Sequence, residues 1–408
     1  MTTGTGDAPV QPAVVDIKPQ TPIASLDRSR FSIAGGAYEV DHVAPAVGMS
    51  PIFVRKVVGH RGPLTRSDLL VLLDQDAFHE TYVPRSMILD YLDSLVGVGP
   101  QPADELGHPE SWDLRLGHAL DLLKEVPAGS VNCVVTSTPY WGLRIYEDTQ
   151  AFTWADGERC AYGHEQTPEG FARHTTEILL ALSRVLTDDG SIWWNVMDSF
   201  TPRTQIRGNA AEALRAMQGK DGRKWGEHAA RRYSAGHSYL KDGEQCLIPQ
   251  AIAERASRAG LYVKTSITWA KRASMPEPQD SRVSRNMEYV LHITKQRTPK
   301  FSRQPYHDSE AEFGGRNNGW ESEKLSDVWV LNTSSGRNGH GAQFPLALPG
   351  RCIALTTDPG DVVLDPFVGS GTAGIAALHH GCRFLGFDVS QTYLAIAKEQ
   401  LGAATAAP

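Results

Sequence analysis

Two stretches hold the residues that could do chemistry. The first is Thr136-Ser137-Thr138-Pro139-Tyr140-Trp141, which sets a hydroxyl, a rigid proline and two aromatics close together. It follows Val131-Asn132-Cys133-Val134-Val135, a short β-branched apolar run behind a Pro127-to-Ser130 turn, and so reads as the end of a buried strand. Open parallel sheets bind ligands at that edge, and this residue set suits a pocket for a flat polar ring. Alone, the six residues read more readily as a strand-to-loop turn with an aromatic cap; the second stretch overturns that. Val362-Val363-Leu364 runs into Asp365-Pro366-Phe367-Val368-Gly369-Ser370-Gly371-Thr372, a strand entering a glycine turn, with a helix expected from Ala373 to His380 and stopped by Gly381. Glycines at 369 and 371 let the backbone approach a ligand, and the helix start offers unpaired N–H groups. Cys382 to Asp388 then reads as a second strand ending in a carboxylate, placed to accept hydrogen bonds from ribose hydroxyls.

Strand, loop, helix, strand and acid in this order, with the hydroxyl-proline-aromatic stretch upstream, resemble the exocyclic-amino DNA methyltransferases that use S-adenosylmethionine (SAM). That family's catalytic signature is Asp, Asn or Ser followed by Pro-Pro and an aromatic, and its cofactor signature is Asp-Pro-Phe-x-Gly-Ser-Gly-Thr. Because the catalytic signature comes first here, the order resembles the permuted β group. The resemblance implies an α/β fold: a Rossmann-like SAM-dependent methyltransferase sheet with helices on both faces. It implies SAM as cofactor, double-stranded DNA as partner and no metal, and it admits a cognate restriction enzyme and a homodimer.

By the same resemblance Ser137 Oγ and the carbonyl of Thr138 accept the amino hydrogens of a flipped base, Pro139 stiffens the loop, Tyr140 stacks on the base and Trp141 walls the pocket. Ser191 to Phe200 resembles another family stretch, in which Asn195 and Asp198 face the pocket; Asp198 could equally order the following loop. Asp365, Phe367, Gly369 and Gly371 fall to the methionine and adenine side of SAM, Asp388 to the ribose, and Ser370, Thr372 and Phe344 complete the cradle. Serine at 137 resembles the cytosine-N4 enzymes more than the adenine-N6 ones. Two residues depart from the pattern: Thr138 stands where the family has proline, and His118 where it has the acid of Gly-Asp-Ala. Adenine-N6 transfer is one alternative; a SAM-binding, DNA-binding regulator without transferase activity is the other.

The positioning elements follow from periodicity. Trp112–Leu116 alternates as a strand, and Leu120, Leu123 and Val126 mark one helix face. Thr167-Pro168 caps a helix whose Phe171, Ile178, Leu182 and Val185 share a side. Asp189-Gly190 reads as a turn into the strand that follows, and Leu261–Trp269 and Met287–Thr294 as two more strands. The loop between those two resembles family stretches through Trp269, Lys271, Met275-Pro276-Glu277 and Asn286-Met287-Glu288-Tyr289. Two basic irregular insertions, 201–245 and 299–338, look like DNA-gripping segments, with plain solvated surface loops as the other reading of each.

Bulk properties are permissive. The chain has 408 residues, 41% hydrophobic and 21% charged, which accommodates a methyltransferase domain over 106–402 and a smaller helical one over 31–105 behind a flexible 1–30. In that smaller part Ala44, Gly48 and Val54 have helix-turn-helix spacing, with Ser50-Pro51 starting a second helix whose Arg55 and Lys56 could meet phosphates; Pro45 counts against it, and a packed helical extension fits as well. A net charge of −7 places any DNA contact in local basic patches. Five scattered cysteines without a Cys-x-x-Cys pair fit a reducing cytoplasm and argue against structural zinc, and the resemblance implies a prokaryotic or phage-encoded protein. No apolar run is long enough to span a bilayer.

Overall fold

The computed structural model describes residues 38–47, 49–64, 68–69, 72, 111–142, 150–155, 158–165, 167–201, 240–241, 243–272, 280–333 and 344–406. Residues 1–30, most of the 201–245 insertion, Gly48, and Met275 to Glu277 lie outside them. In chain order the elements are helices α1 (Val40–Ala46) and α2 (Pro51–Val58), strand β1 (Trp112–Leu116), a short helix α3 (Ala119–Leu122), strands β2 (Val131–Ser137), β3 (Phe152–Thr153) and β4 (Arg159–Cys160), and helix α4 (Pro168–Val185). Then come β5 (Leu186–Val196), α5 (Ile248–Arg258), β6 (Tyr262–Lys271), β7 (Met287–Thr294), α6 (Pro305–Asp308), β8 (Val328–Leu331), α7 (Ala347–Thr356), β9 (Val362–Asp365), α8 (Thr372–His379), β10 (Arg383–Asp388) and α9 (Gln391–Ala406).

One sheet has the order β1-β10-β9-β2-β5-β7-β6-β8, and β3 with β4 forms a separate hairpin. Every strand of the large sheet runs the same way except β7, which pairs antiparallel with both β5 and β6. Alternation sends Val134, Trp194, Leu291 and Leu364 to one face, with α4 and α5, and Cys133, Val135, Trp193, Val290 and Val363 to the other, with α7, α8 and α9. Helices therefore cover both faces, as the α/β resemblance implies. From β9 the chain winds outward through α8 to β10; from β2 it winds the other way through α4 to β5. Neighbours β9 and β2 thus flank a switch point, where such sheets open a crevice beyond the strand ends.

Local chemistry explains the elements. Thr167 caps α4 by accepting from Gly170 N at 3.0 Å, with Pro168 at the first turn, and Phe171, Ile178, Leu182 and Val185 are all buried. Asp189-Gly190 is not a turn ahead of a strand: β5 already pairs at Leu186, and the turn survives as a bulge, since Val131 faces Leu186 while Cys133 faces Ser191. A Cβ on Gly190 would come within 2.8 Å of Asn132 O, so the folded-back bulge needs glycine there.

The N-terminal helices have their own core of Val43, Ala44, Val47, Val54 and Leu64, which also takes in Leu180 of α4 and Ala259 beyond α5. Ser50 caps α2 by accepting from Phe53 N at 3.2 Å. Arg55 turns back to donate to the carbonyls of His60 and Gly62, whereas Lys56 is exposed. No helix among the described residues is long and apolar enough to cross a membrane.

Candidate active site

The two stretches meet at the switch point. Cys133 and Val134 of β2 register with Val363 and Leu364 of β9, so Thr136 and Asp365 stand side by side at the strand ends and the threonine donates to Asp365 Oδ1 at 2.6 Å. One residue further on, Ser137 faces Asn195 of β5. Asn195 Nδ2 reaches Ser137 Oγ at 3.2 Å, the Tyr140 hydroxyl at 2.9 Å and Glu288 Oε2 at 2.8 Å. The Tyr140 hydroxyl also lies 3.2 Å from Ser137 Oγ and donates to Glu288 through a short bond, and Lys271 Nζ pairs with the other Glu288 oxygen. Serine, tyrosine, asparagine, glutamate and lysine from β2, its loop, β5, β7 and β6 therefore form one cluster.

Two polar atoms in that cluster have no hydrogen-bond partner among the described residues: Thr138 Oγ1 and Asn195 Oδ1, both buried. A buried acceptor left unpaired costs roughly 1–3 kcal/mol, so the arrangement is one that a polar ligand would complete. Behind it the loop is held firmly: Thr138 N donates to Asn195 O at 3.2 Å, Trp141 Nε1 to Glu165 O at 2.9 Å, and Gly142 N to Gly163 O at 2.8 Å. Trp141 is fully buried and walls the loop from behind.

The second stretch forms a cradle beside it. Asp365 Oδ1 also accepts from Phe367 N at 3.0 Å, and Asp388 accepts from Gly369 N at 2.9 Å and Ser390 N at 2.9 Å. Burial pushes the Asp365 carboxyl up to about 7, against donation from Thr136 and Phe367 N, and burial also raises Asp388. Both acids are held by neutral donors, so a ligand carrying positive charge would restore their ordinary ionisation. Gly369 and Gly371 have φ of 51° and 89°, and a Cβ on Gly371 would meet Ala397 Cα and Cβ at 3.2 Å. Gly371 caps α8, whose first residue is Thr372; Ser370 is buried beside it. The residues present fit a cationic nucleoside cofactor.

Not every expected residue joins the cluster. The Asp198 carboxylate accepts from four donors, Ser199 N at 2.8 Å, Ile248 N at 2.9 Å, Gln245 Nε2 at 2.7 Å and Leu247 N at 3.1 Å, and so orders the chain where it returns into α5. Phe344 is buried in the core face with Val368 and Leu348. His118 stacks on Phe152 at 3.9 Å, its charged form disfavoured by burial, which lowers its pKa to about 4. Phe367 stacks on Tyr162 at 5.2 Å. Conversely, Glu288 and Lys271 sit in the centre of the cluster, although sequence reasoning placed them only within family-like stretches; their signal was that resemblance.

Cation–aromatic pairs rim the same sheet edge. Arg282 lies 3.7 Å and Arg285 4.9 Å over Phe200, just past β5, and exposed Arg272, just past β6, lies 3.8 Å over Trp320. The described part of the 299–338 insertion is largely anchored: Lys300 pairs with Asp358 and Asp361, and Tyr306 is buried.

A family profile described as DNA methylase, N6_N4_Mtase, matches residues 131–399. The type II methyltransferase M.Cfr9I of Citrobacter freundii is 33% identical over 285 residues, which cover 70% of this chain and 86% of that protein. M.XycI of Xanthomonas campestris pv. cyanopsidis, also a type II methyltransferase, is 32% identical over 309 residues, 74% of this chain and 93% of its own. Among solved structures, PvuII DNA methyltransferase (cytosine-N4-specific) aligns with a TM-score of 0.49 and 17% identity, over 73% of this chain and 92% of that one.

Proposed function

The chain belongs to the DNA methylase family of N6 and N4 transferases, and from that premise we propose that it moves a methyl group from SAM to the exocyclic amino nitrogen of a base flipped out of double-stranded DNA, cytosine N4 in preference to adenine N6. The observation that carries this reading is the Ser137–Asn195–Tyr140–Glu288 cluster joined to the Asp365 cradle by the 2.6 Å Thr136 bond. Serine at 137 is what favours cytosine.

An exocyclic amino group is a poor nucleophile because its lone pair is delocalised into the ring. Acceptors aimed at its hydrogens draw the nitrogen toward tetrahedral geometry, and fixed positions of both reactants supply the alignment. In our reading Ser137 Oγ and the Thr138 carbonyl take those hydrogens, and Thr138 Oγ1 and Asn195 Oδ1 find their missing partners on the base edge. Tyr140, its hydroxyl tied to Glu288, presents a ring held at a set angle for stacking. Asp365 and Asp388 would hold the charged and ribose parts of SAM, with Phe367, Gly369, Ser370, Gly371 and Thr372 as its cradle, and SAM when bound would supply an electrophilic methyl. The nitrogen's proton leaves through Ser137 toward the Tyr140–Glu288 chain. Asp198, with four donors already on its carboxylate, is a positioning residue. The rim pairs Arg282–Phe200 and Arg272–Trp320 contact the opened duplex. The relatives are type II methyltransferases, which favours a modification role beside a cognate restriction enzyme.

The test is to incubate the protein with SAM and unmethylated genomic DNA, digest to nucleosides and read the products by mass spectrometry. N4-methylcytosine is the expected product. N6-methyladenine would correct the base, and neither product from a protein that binds SAM would transfer the reading to a DNA-binding regulator.

A further inference from the structure

Behind the pocket loop, Glu158, Cys160 and His174 bring a carboxylate oxygen, a sulfur and an imidazole nitrogen within 4.8 Å of one another. We propose that these three residues form a structural site for a divalent metal of the zinc class, with Glu165 as the outer carboxylate that orients His174. The site is separate from the transfer chemistry and stands whether or not the chain methylates DNA.

The imidazole is arranged as a ligand. His174 Nδ1 lies 3.1 Å from Glu165 Oε1, which leaves Nε2 facing Glu158 at 3.9 Å. A carboxylate on one ring nitrogen and a metal on the other is the usual pattern for a ligating histidine, because the outer bond fixes tautomer and ring angle. Trp154 stacks on the same ring at 4.1 Å and holds it further. His174 and Glu165 are wholly buried and Cys160 nearly so, and the second Glu165 oxygen has no hydrogen-bond partner among the described residues. With a divalent cation bound, the cysteine would ligate as a thiolate and the carboxylates as anions, their charge balanced by the metal in a poorly solvated place. Thiolate, imidazole and carboxylate together are a zinc-class donor set.

The geometry closes with a small movement. Ligand bonds of about 2.0–2.3 Å put tetrahedral donor atoms about 3.3–3.6 Å apart, so a shift on the order of 1 Å suffices. Glu158, whose side chain is 20% exposed against 1% for His174, is the donor with room to move. The lack of Cys-x-x-Cys pairs speaks only against cysteine-rich zinc sites; here the donors are one cysteine, one histidine from α4 and one glutamate.

A metal would also account for the hairpin. Strands β3 and β4 have two residues each, too short to hold together alone in water. Glu158 and Cys160 lie on this hairpin and His174 on α4, so one ion ties the two. The segment that follows supports the pocket loop through Gly163 O and Glu165 O, which accept from Gly142 and Trp141. The metal thereby stiffens the floor under Tyr140.

Full-length, tag-free protein purified without chelator is assayed for bound metal by mass spectrometry, then reconstituted with Co2+ after chelation. The expected result is about one zinc per chain and a thiolate-to-cobalt charge-transfer band, both lost in Cys160→Ser and kept in Cys246→Ser. Wild-type protein that takes up neither metal, or a Cys160→Ser variant that keeps both metal and band, overturns the proposal. If Cys160→Ser does not fold, the wild-type cobalt spectrum decides alone: the band sustains the site and its absence refutes it.

Discussion

Asn195 is the hub of the pocket, since its amide nitrogen reaches Ser137, Tyr140 and Glu288 at once. Asn195→Ala should lower kcat by about 10²-fold with SAM affinity retained, because it removes alignment rather than the cofactor cradle; single-turnover kinetics and SAM titration separate the two. Ser137→Ala should abolish transfer while SAM still binds, and unaltered turnover would sink the pocket assignment. Asp365 carries a pH signature. Its folded pKa lies near 7, above the ordinary 3.8, so its contribution to stability is full below about pH 4 and is lost as pH rises through 7. Asp365→Asn should flatten that fall in apo-protein melting between pH 4 and 7, and a cationic ligand should bind the parent more tightly as pH rises through 7. Ser137 and Asp365 were legible because each lies in a short local signature. The partnership of Glu288 and Lys271 was not, because it depends on which strands become neighbours, and nothing local encodes that β7 and β6 follow β5 in the sheet.

At the scale of elements, capping residues and apolar stripes specified α4, α8 and most strand positions, since these depend on neighbours within a few residues. The β5 bulge was hidden because a bulge is defined against a partner strand. Helix α8 and the loop before it leave little room for change. Gly371→Ala places a side chain at φ 89° against Ala397, and should destabilise the protein by about 1–3 kcal/mol and weaken SAM binding, as read by melting and titration. The irregular stretch before β8 was read as a surface recognition segment, yet its described part is fastened to α7. Arg351 donates to the carbonyls of Gly314 and Gly315 and pairs through both terminal nitrogens with Glu321, all buried. Removing one partner of a buried pair costs about 3–5 kcal/mol, so Glu321→Ala should lower the denaturation midpoint sharply. The basic residues of 202–239 lie outside the described residues, and the DNA contact expected of them rests on the sequence alone.

At the scale of the molecule, the N-terminal helices share a core with Leu180 and Ala259. Removing residues 1–105 should therefore lower Tm by roughly 5 °C. Duplex affinity retained in the truncated protein would mark that part as a packing extension; its loss would mark a DNA reader. The permuted strand order has a consequence for synthesis. Strand β1 is joined to the sheet through β10, and β10 through β9, so β1 takes its place only after two strands that lie far later in the sequence have been made. Until they emerge, β1 and β2 have no strand between them, and pairings this distant in sequence form slowly. A nascent chain stopped before Asp365 carries the Ser137–Asn195–Glu288 cluster without the Asp365–Asp388 cradle beside it. Synthesis thereby separates the two sides of the proposed site in time, the hydroxyl-and-amide cluster first and the glycine-loop cradle second.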